Sequence, residues 1–113
     1  MSLTTIDLNI SRRLRSKEFR REWFRAQLEY GVPEQFRALR EERHMTQTKL
    51  AAETGMKQSA ISRFEKSTDA AWKLETLITL ADSLDAQLQI RVVKYEDVIA
   101  SVEREEQAAK TTA

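Results

Sequence analysis

Two glycines, Gly31 and Gly55, and one proline, Pro33, are all that punctuate this 113-residue chain. Glycine supplies left-handed turns and proline interrupts helices and ladders, so a sequence this poor in both folds mainly as helix with few turns. Where the three residues sit predicts the segmentation. From near Ser16, the residues Phe19, Trp23, Ala26 and Tyr30 recur at three- and four-residue spacing and predict a first amphipathic helix. Gly31 suits the left-handed position just past its end. Pro33 suits the first turn of a second helix running from Glu34 to about Arg43, where no amide hydrogen is missed.

Thr46 is a good N-cap, and Met45 and Leu50 flank it at the spacing of a hydrophobic staple. A third helix therefore starts at Thr46 and stops at Gly55, and a short helix to about Lys66 follows, with Ala60, Ile61 and Phe64 on its apolar side. Leu74, Leu77, Ile78, Ala81 and Leu84 predict a further helix whose stripe is core. After Asp85 the period changes. Leu88, Ile90 and Val92 alternate with Gln89 and Arg91 and predict a short strand, for which the alternating Ile6, Leu8 and Ile10 offer a partner. Val98, Ile99 and Val102 share a helical face before the chain turns polar at Glu103, and its last few residues read as disordered.

Composition narrows the function. No run of apolar residues is long enough to span a membrane, the absence of cysteine removes disulfides and thiolate metal sites, and the N-terminus has no apolar leader, so a cytoplasmic protein is expected. The formal net charge of +1 hides an asymmetry: residues 1–66 hold 14 Lys/Arg against 9 Asp/Glu, and residues 67–113 hold 5 against 9. A basic half suits a polyanion such as DNA, because neutralising phosphates releases condensed counterions. An enzyme is not expected. His44 stands without catalytic partners and reads as a helix-end residue or a phosphate neighbour, Gly31 and Gly55 form no phosphate loop, and nothing calls for a metal or cofactor. Trp23 and Trp72 read as core or interface anchors.

The stretch from Thr46 to Glu65, TQTKLAAETG MKQSAISRFE, places two short helices around one glycine. Leu50 and Ala51 on the first and Ile61 and Phe64 on the second face inward and fix the angle between them. Gln58, Ser59, Ser62 and Arg63 are left on the outer face of the second helix, where a major groove about 12 Å wide can receive them. The pattern of Gln47, Leu50, Ala51, Gly55, Ile61 and Glu65 resembles the Cro/CI-type (XRE) helix-turn-helix family of regulators. Phe36, Leu39 and Arg40 resemble the family's first helix, and Leu77, Ile78, Ala81 and Leu84 its closing ones. Within it, Ser62-Arg63-Phe64-Glu65 and the segment from Ala86 to Val93 are closest to antitoxins of the HigA kind. Lys57 departs from the pattern, standing where the family often has a Ser or Thr cap.

The resemblance implies a mainly α, lambda-repressor-like helix-turn-helix bundle at residues 34–86, with an N-terminal extension carrying one helix at 1–33. A C-terminal β-strand and acidic tail at 87–113 would serve dimerisation or partner binding. It implies that Gln47 meets a phosphate at a helix N-terminus, that Gln58 and Ser59 face base edges with Ser62 beside them, and that Arg63 pairs with guanine or a phosphate. Lys57 and Lys66 would meet the backbone, and Arg40 and Glu65 would form a structural salt bridge. The expected function is sequence-specific binding of double-stranded DNA by a transcriptional regulator acting as a repressor. The alternative is an antitoxin that neutralises a toxin protein through Trp23, Phe24 and the acidic tail and regulates its own operon. A homodimer on an inverted-repeat operator is expected, with Gln87 to Lys94 at its seam.

Overall fold

The structure, a computed structural model, describes residues 9–67 and 71–112. It contains α1 (Ile10–Arg13), α2 (Lys17–Glu42), α3 (Gln47–Thr54), α4 (Gln58–Glu65), α5 (Leu74–Ser83) and α6 (Tyr95–Thr112). The described residues hold no strand. They fall into two compact units, one formed by residues up to Arg25 together with Arg91 onward, the other by Ala26–Ile90.

The expected break at Gly31 and Pro33 does not occur. Helix α2 continues through both residues, and Gly31 does not adopt the left-handed conformation. Proline inside a helix forfeits one backbone hydrogen bond and crowds the preceding turn, a cost of about 3 kcal/mol. Here Pro33 is fully buried and flanked by Val32 and Phe36, both packed on the core, so apolar burial offsets that loss. The helix ends nine residues later, at Glu42. His44 takes φ 54°, its N–H donates to Glu41 O at 3.0 Å, and the Met45 N–H donates to Arg40 O at 3.0 Å. This is a Schellman ending made without glycine. Helix α5 stops in the same way: Asp85 has φ 53°, and the Ala86 N–H donates to Ala81 O at 2.9 Å.

In the unit from Ala26 to Ile90, the core is Leu50, Ala51, Ile61, Phe64, Leu77, Leu80 and Leu84, with Phe36, Leu39, Met45, Met56, Trp72 and Leu88 against it. Phe64 is its aromatic hub, in edge contact with Phe36 at 5.6 Å and Trp72 at 6.0 Å between centroids. Arg43 reaches across to α5, its Nε donating to Leu84 O at 3.2 Å and its Nη2 to Asp85 O at 3.3 Å, so a cation covers carbonyls that the helix end leaves open. The α5 stripe is narrower than expected. Leu77, Ala81 and Leu84 are buried along with Leu80, but Leu74 and Ile78 are 55% and 44% exposed.

The expected strand at Gln87–Lys94 is absent. Leu88 packs on the core, whereas Ile90 is 68% and Val92 99% exposed, and no neighbouring strand offers a ladder among the described residues. Alternation alone cannot make a strand, because the backbone groups need a partner. Of its suggested partner, Ile6 and Leu8 lie outside the described residues, and Ile10 is in α1.

In the other unit, Ile10, Leu14, Ile99 and Val102 form a second core with Phe19, Trp23, Phe24 and Val98 against it. The C-terminal residues expected to be disordered are helical as far as Thr112, and the polar stretch turns one carboxylate inward. Glu106 is buried and accepts from the Ser11 backbone N–H at 3.3 Å and from the Ser11 hydroxyl, tying α6 to α1. No described helix is long and apolar enough to cross a membrane.

The turn between α3 and α4 rests on Gly55, whose φ of 74° is left-handed; a Cβ there would meet nothing within 4 Å, so only the backbone conformation selects glycine. Gly55→Ala is therefore expected to destabilise the protein by about 1 kcal/mol through backbone strain alone. Urea unfolding checks it, and an unchanged midpoint would mean that the turn relaxes.

Candidate nucleic-acid interface

Helix α3 begins as its sequence predicts. Thr46 is extended at φ −80° and ψ 161°, and its Oγ1 accepts from the Lys49 N–H at 3.0 Å. At the other end the Thr54 hydroxyl donates to Leu50 O at 2.8 Å and accepts from the Met56 N–H at 3.3 Å, which stitches the turn to the helix it leaves. Leu50 and Ala51 point into the core. Alanine at position 51 leaves room for close helix approach.

Helix α4 follows after three residues. Lys57 stands at its N-cap with extended backbone and gives no side-chain cap, so the departure noted in the sequence is a physical one: the first turn lacks the acceptor that Ser or Thr would supply. Ile61 and Phe64 bury one side of α4. Gln58, Ser59, Arg63 and Lys66 are exposed and Ser62 half-buried. At about 100° per residue these five span an arc of about 140°, opposite the buried pair. A short helix is thus anchored along one edge and displays an unbroken polar face along the other.

The angle between this helix and the others is fixed by a chain of four polar side chains. Arg40 on α2 donates to Glu65 on α4 through Nε at 2.7 Å and Nη2 at 2.9 Å, and its Nη1 donates to Met45 O at 2.8 Å. The side chains are only 11% and 4% exposed. The hydrogen bond to Glu65 raises the Arg40 pKa above its ordinary value, against an opposing push from burial. Glu65 also accepts from Gln47 Nε2 at 2.9 Å, and Gln47 Oε1 accepts from Gln58 Nε2 at 2.8 Å. A carboxylate can only accept, so Glu65 dictates that Gln47 turns its NH2 inward and its oxygen towards Gln58. Gln58 must then spend one amide hydrogen on Gln47 and keeps its own oxygen and second hydrogen.

The structure thus brings Arg40, Glu65, Gln47 and Gln58 into one connected group, and Ser59, Ser62, Arg63 and Lys66 onto the arc beside it, with Lys57 at the exposed start of the helix. The Gln47–Gln58 bond is not visible to sequence periodicity, because the two residues belong to different helices. Its only trace is that each is the first residue of its helix on either side of one tight turn. Arg43, which closes the end of α5, left no signal beyond a basic residue near a helix end.

Arg40→Ala leaves Glu65 buried with Gln47 as its one side-chain donor among the described residues and is expected to destabilise the fold by about 3 kcal/mol. Thermal unfolding checks the loss, and the double substitution with Glu65→Ala is expected to recover part of it. Equal melting of Arg40→Ala and the parent would mean that the pair contributes nothing net.

The model of the helix-turn-helix family matches residues 36–90, from the last turns of α2 past the end of α5. No curated protein and no solved structure matches the chain.

Proposed function

We propose that residues 36–90, which match the helix-turn-helix family, form a domain of the Cro/CI type, that the chain is a transcriptional regulator acting as a repressor, and that α4 reads bases in the major groove of its operator. The observation that carries this reading is the orientation of Gln58. Its NH2 is tied to Gln47, so the remaining hydrogen and the oxygen form the donor and acceptor pair that matches adenine N7 and N6. A side chain held in that way loses less freedom on binding than an untethered glutamine. Ser59 and Ser62 lie beside it, Arg63 one turn on reaches guanine or a phosphate, and Lys57 and Lys66 at the two ends of the helix meet backbone. Gln47, first in α3, offers a phosphate the helix N-terminus and its second amide hydrogen.

The regulator reading is favoured over neutralisation of a partner toxin by the packing of Trp23 and Phe24. Both are partly buried against the core of Ile10, Leu14, Ile99 and Val102, so the aromatic segment and the C-terminal helix already cover one another.

Selection of bound sequences from a random duplex pool tests the reading. Gln58→Ala and Arg63→Ala are each expected to lose about 1 to 3 kcal/mol of discrimination between preferred and unrelated sites with the fold intact. Sequence preference identical to the parent in both variants would contradict it.

One recognition helix covers only a few base pairs, so the regulator acts as a homodimer with two such helices about 34 Å apart on an inverted repeat. Its seam is drawn from apolar side chains that the domain leaves exposed, namely Leu74 and Ile78, one turn apart on α5, and Ile90 beyond it. Ile78→Lys and Ile90→Lys are expected to yield a folded monomer with much weaker operator binding, measured by sedimentation and titration. A parent protein that stays monomeric at high concentration would rule out the assembly.

A further inference from the structure

The unit built from α1, the start of α2 and α6 carries seven of the chain's 19 Lys and Arg between Arg12 and Arg25, against two acidic residues in the same stretch. Three of these cations hold the unit together. Arg15 pairs with Glu103 at 3.3 Å, Arg20 donates to Leu14 O at 3.1 Å and lies 4.0 Å over the Tyr95 ring, and Arg13 lies 4.3 Å over the Phe19 ring. Arg12, Lys17 and Arg21 are surplus to that task. Arg12, Lys17 and Arg21 are exposed, and their side chains make no hydrogen bond or ion pair among the described residues. Lys17, Arg21 and the likewise exposed Arg25 follow one another at four-residue intervals along α2. That spacing puts like charges one above the next on a single helix face, an arrangement that repels. Glu18 and Glu22 stand three residues before Arg21 and Arg25, about 60° round the helix from each.

We propose that Lys17 and Arg21, with Arg12 and Arg25 beside them, form a second DNA surface that grips the phosphate backbone of the duplex without reading bases; the proposal rests on DNA binding by α4 and adds a separate contact to it. A row of cations gains what it loses in mutual repulsion when it meets a row of anions. Lys17 to Arg25 covers about 12 Å of helix axis, a length over which one strand of a duplex presents about three phosphates. Guanidinium and ammonium groups both suit phosphate, and no base-reading side chain such as Asn or Gln interrupts the row. The surface therefore adds affinity for any duplex and leaves sequence choice to α4.

The test compares the full chain with a Lys17→Gln, Arg21→Gln double variant, titrating the selected operator and an unrelated duplex across a range of salt. Each phosphate contact contributes about 0.9 to the slope of log affinity against log salt. The double variant is expected to lower that slope by about 1.8 and to weaken binding to both duplexes alike, on the order of tenfold near 0.1 M salt, with the preference between them kept. Arg21→Lys, which keeps the charge, is expected to keep the parent slope. A double variant with the parent slope overturns the proposal while leaving sequence reading by α4 intact, and so does an Arg21→Lys variant that loses as much as the glutamine form. Reduced binding to phosphatidylglycerol vesicles with an unchanged DNA slope would overturn it in favour of a membrane surface. A chain that binds all duplexes equally, with a slope that still falls in the double variant, would refute base reading and support this surface; no binding to any duplex would refute both.

Discussion

The Arg40 guanidinium is the joint around which the helix-turn-helix is assembled. One planar cation grips both oxygens of Glu65 on α4 and the carbonyl of Met45 just beyond its own helix. The end of α2, the residue chain just beyond it and α4 are thereby referred to a single rigid group. The pair sits in a nearly dry environment, where an ion pair is a weak source of net stability but a strong enforcer of geometry, since any other arrangement leaves a charge uncompensated. The apolar contacts of Ile61 and Phe64 would tolerate some rolling of α4. The fork of hydrogen bonds would not.

From that joint the order passes outward through groups of decreasing burial. Glu65 fixes Gln47, Gln47 fixes Gln58, and Gln58 stands exposed at the first turn of α4. The exposed end of the chain of bonds inherits its orientation from the buried end. The other unit shows a related economy, with buried Glu106 held by Ser11 and exposed Arg15 held by Glu103. In both units a carboxylate on one helix organises polar groups on another.

Much of the site was legible in the sequence because it depends on local rules. The Thr46 cap, the left-handed Gly55 and the inward pairs Leu50 with Ala51 and Ile61 with Phe64 are all fixed by neighbours within one or two turns. The misreadings share a cause, since each took a local pattern to decide what packing decides. Pro33 looked like a helix start, yet its burial carries the helix through. Val92 looked like a strand residue, yet no partner strand is present among the described residues and it stands 99% exposed. Leu74 and Ile78 matched the apolar stripe of α5 but fall outside the part of it that the core can cover, while Leu80, unmarked by the chosen stripe, is buried. The helix ends near Arg43 and Leu84 were legible, but not that His44 and Asp85 would close them in the left-handed region, because non-glycine residues seldom adopt a positive φ.

The bond between Gln47 and Gln58 has a consequence for how such a surface can change its preference. A substitution at position 58 alone would strip Gln47 of the donor facing its oxygen, and a substitution at 47 alone would release Gln58 from the orientation that Glu65 imposes through it. Under the proposed reading, drift towards a different operator is a two-residue problem, with intermediates that have lost one arrangement without having acquired the next.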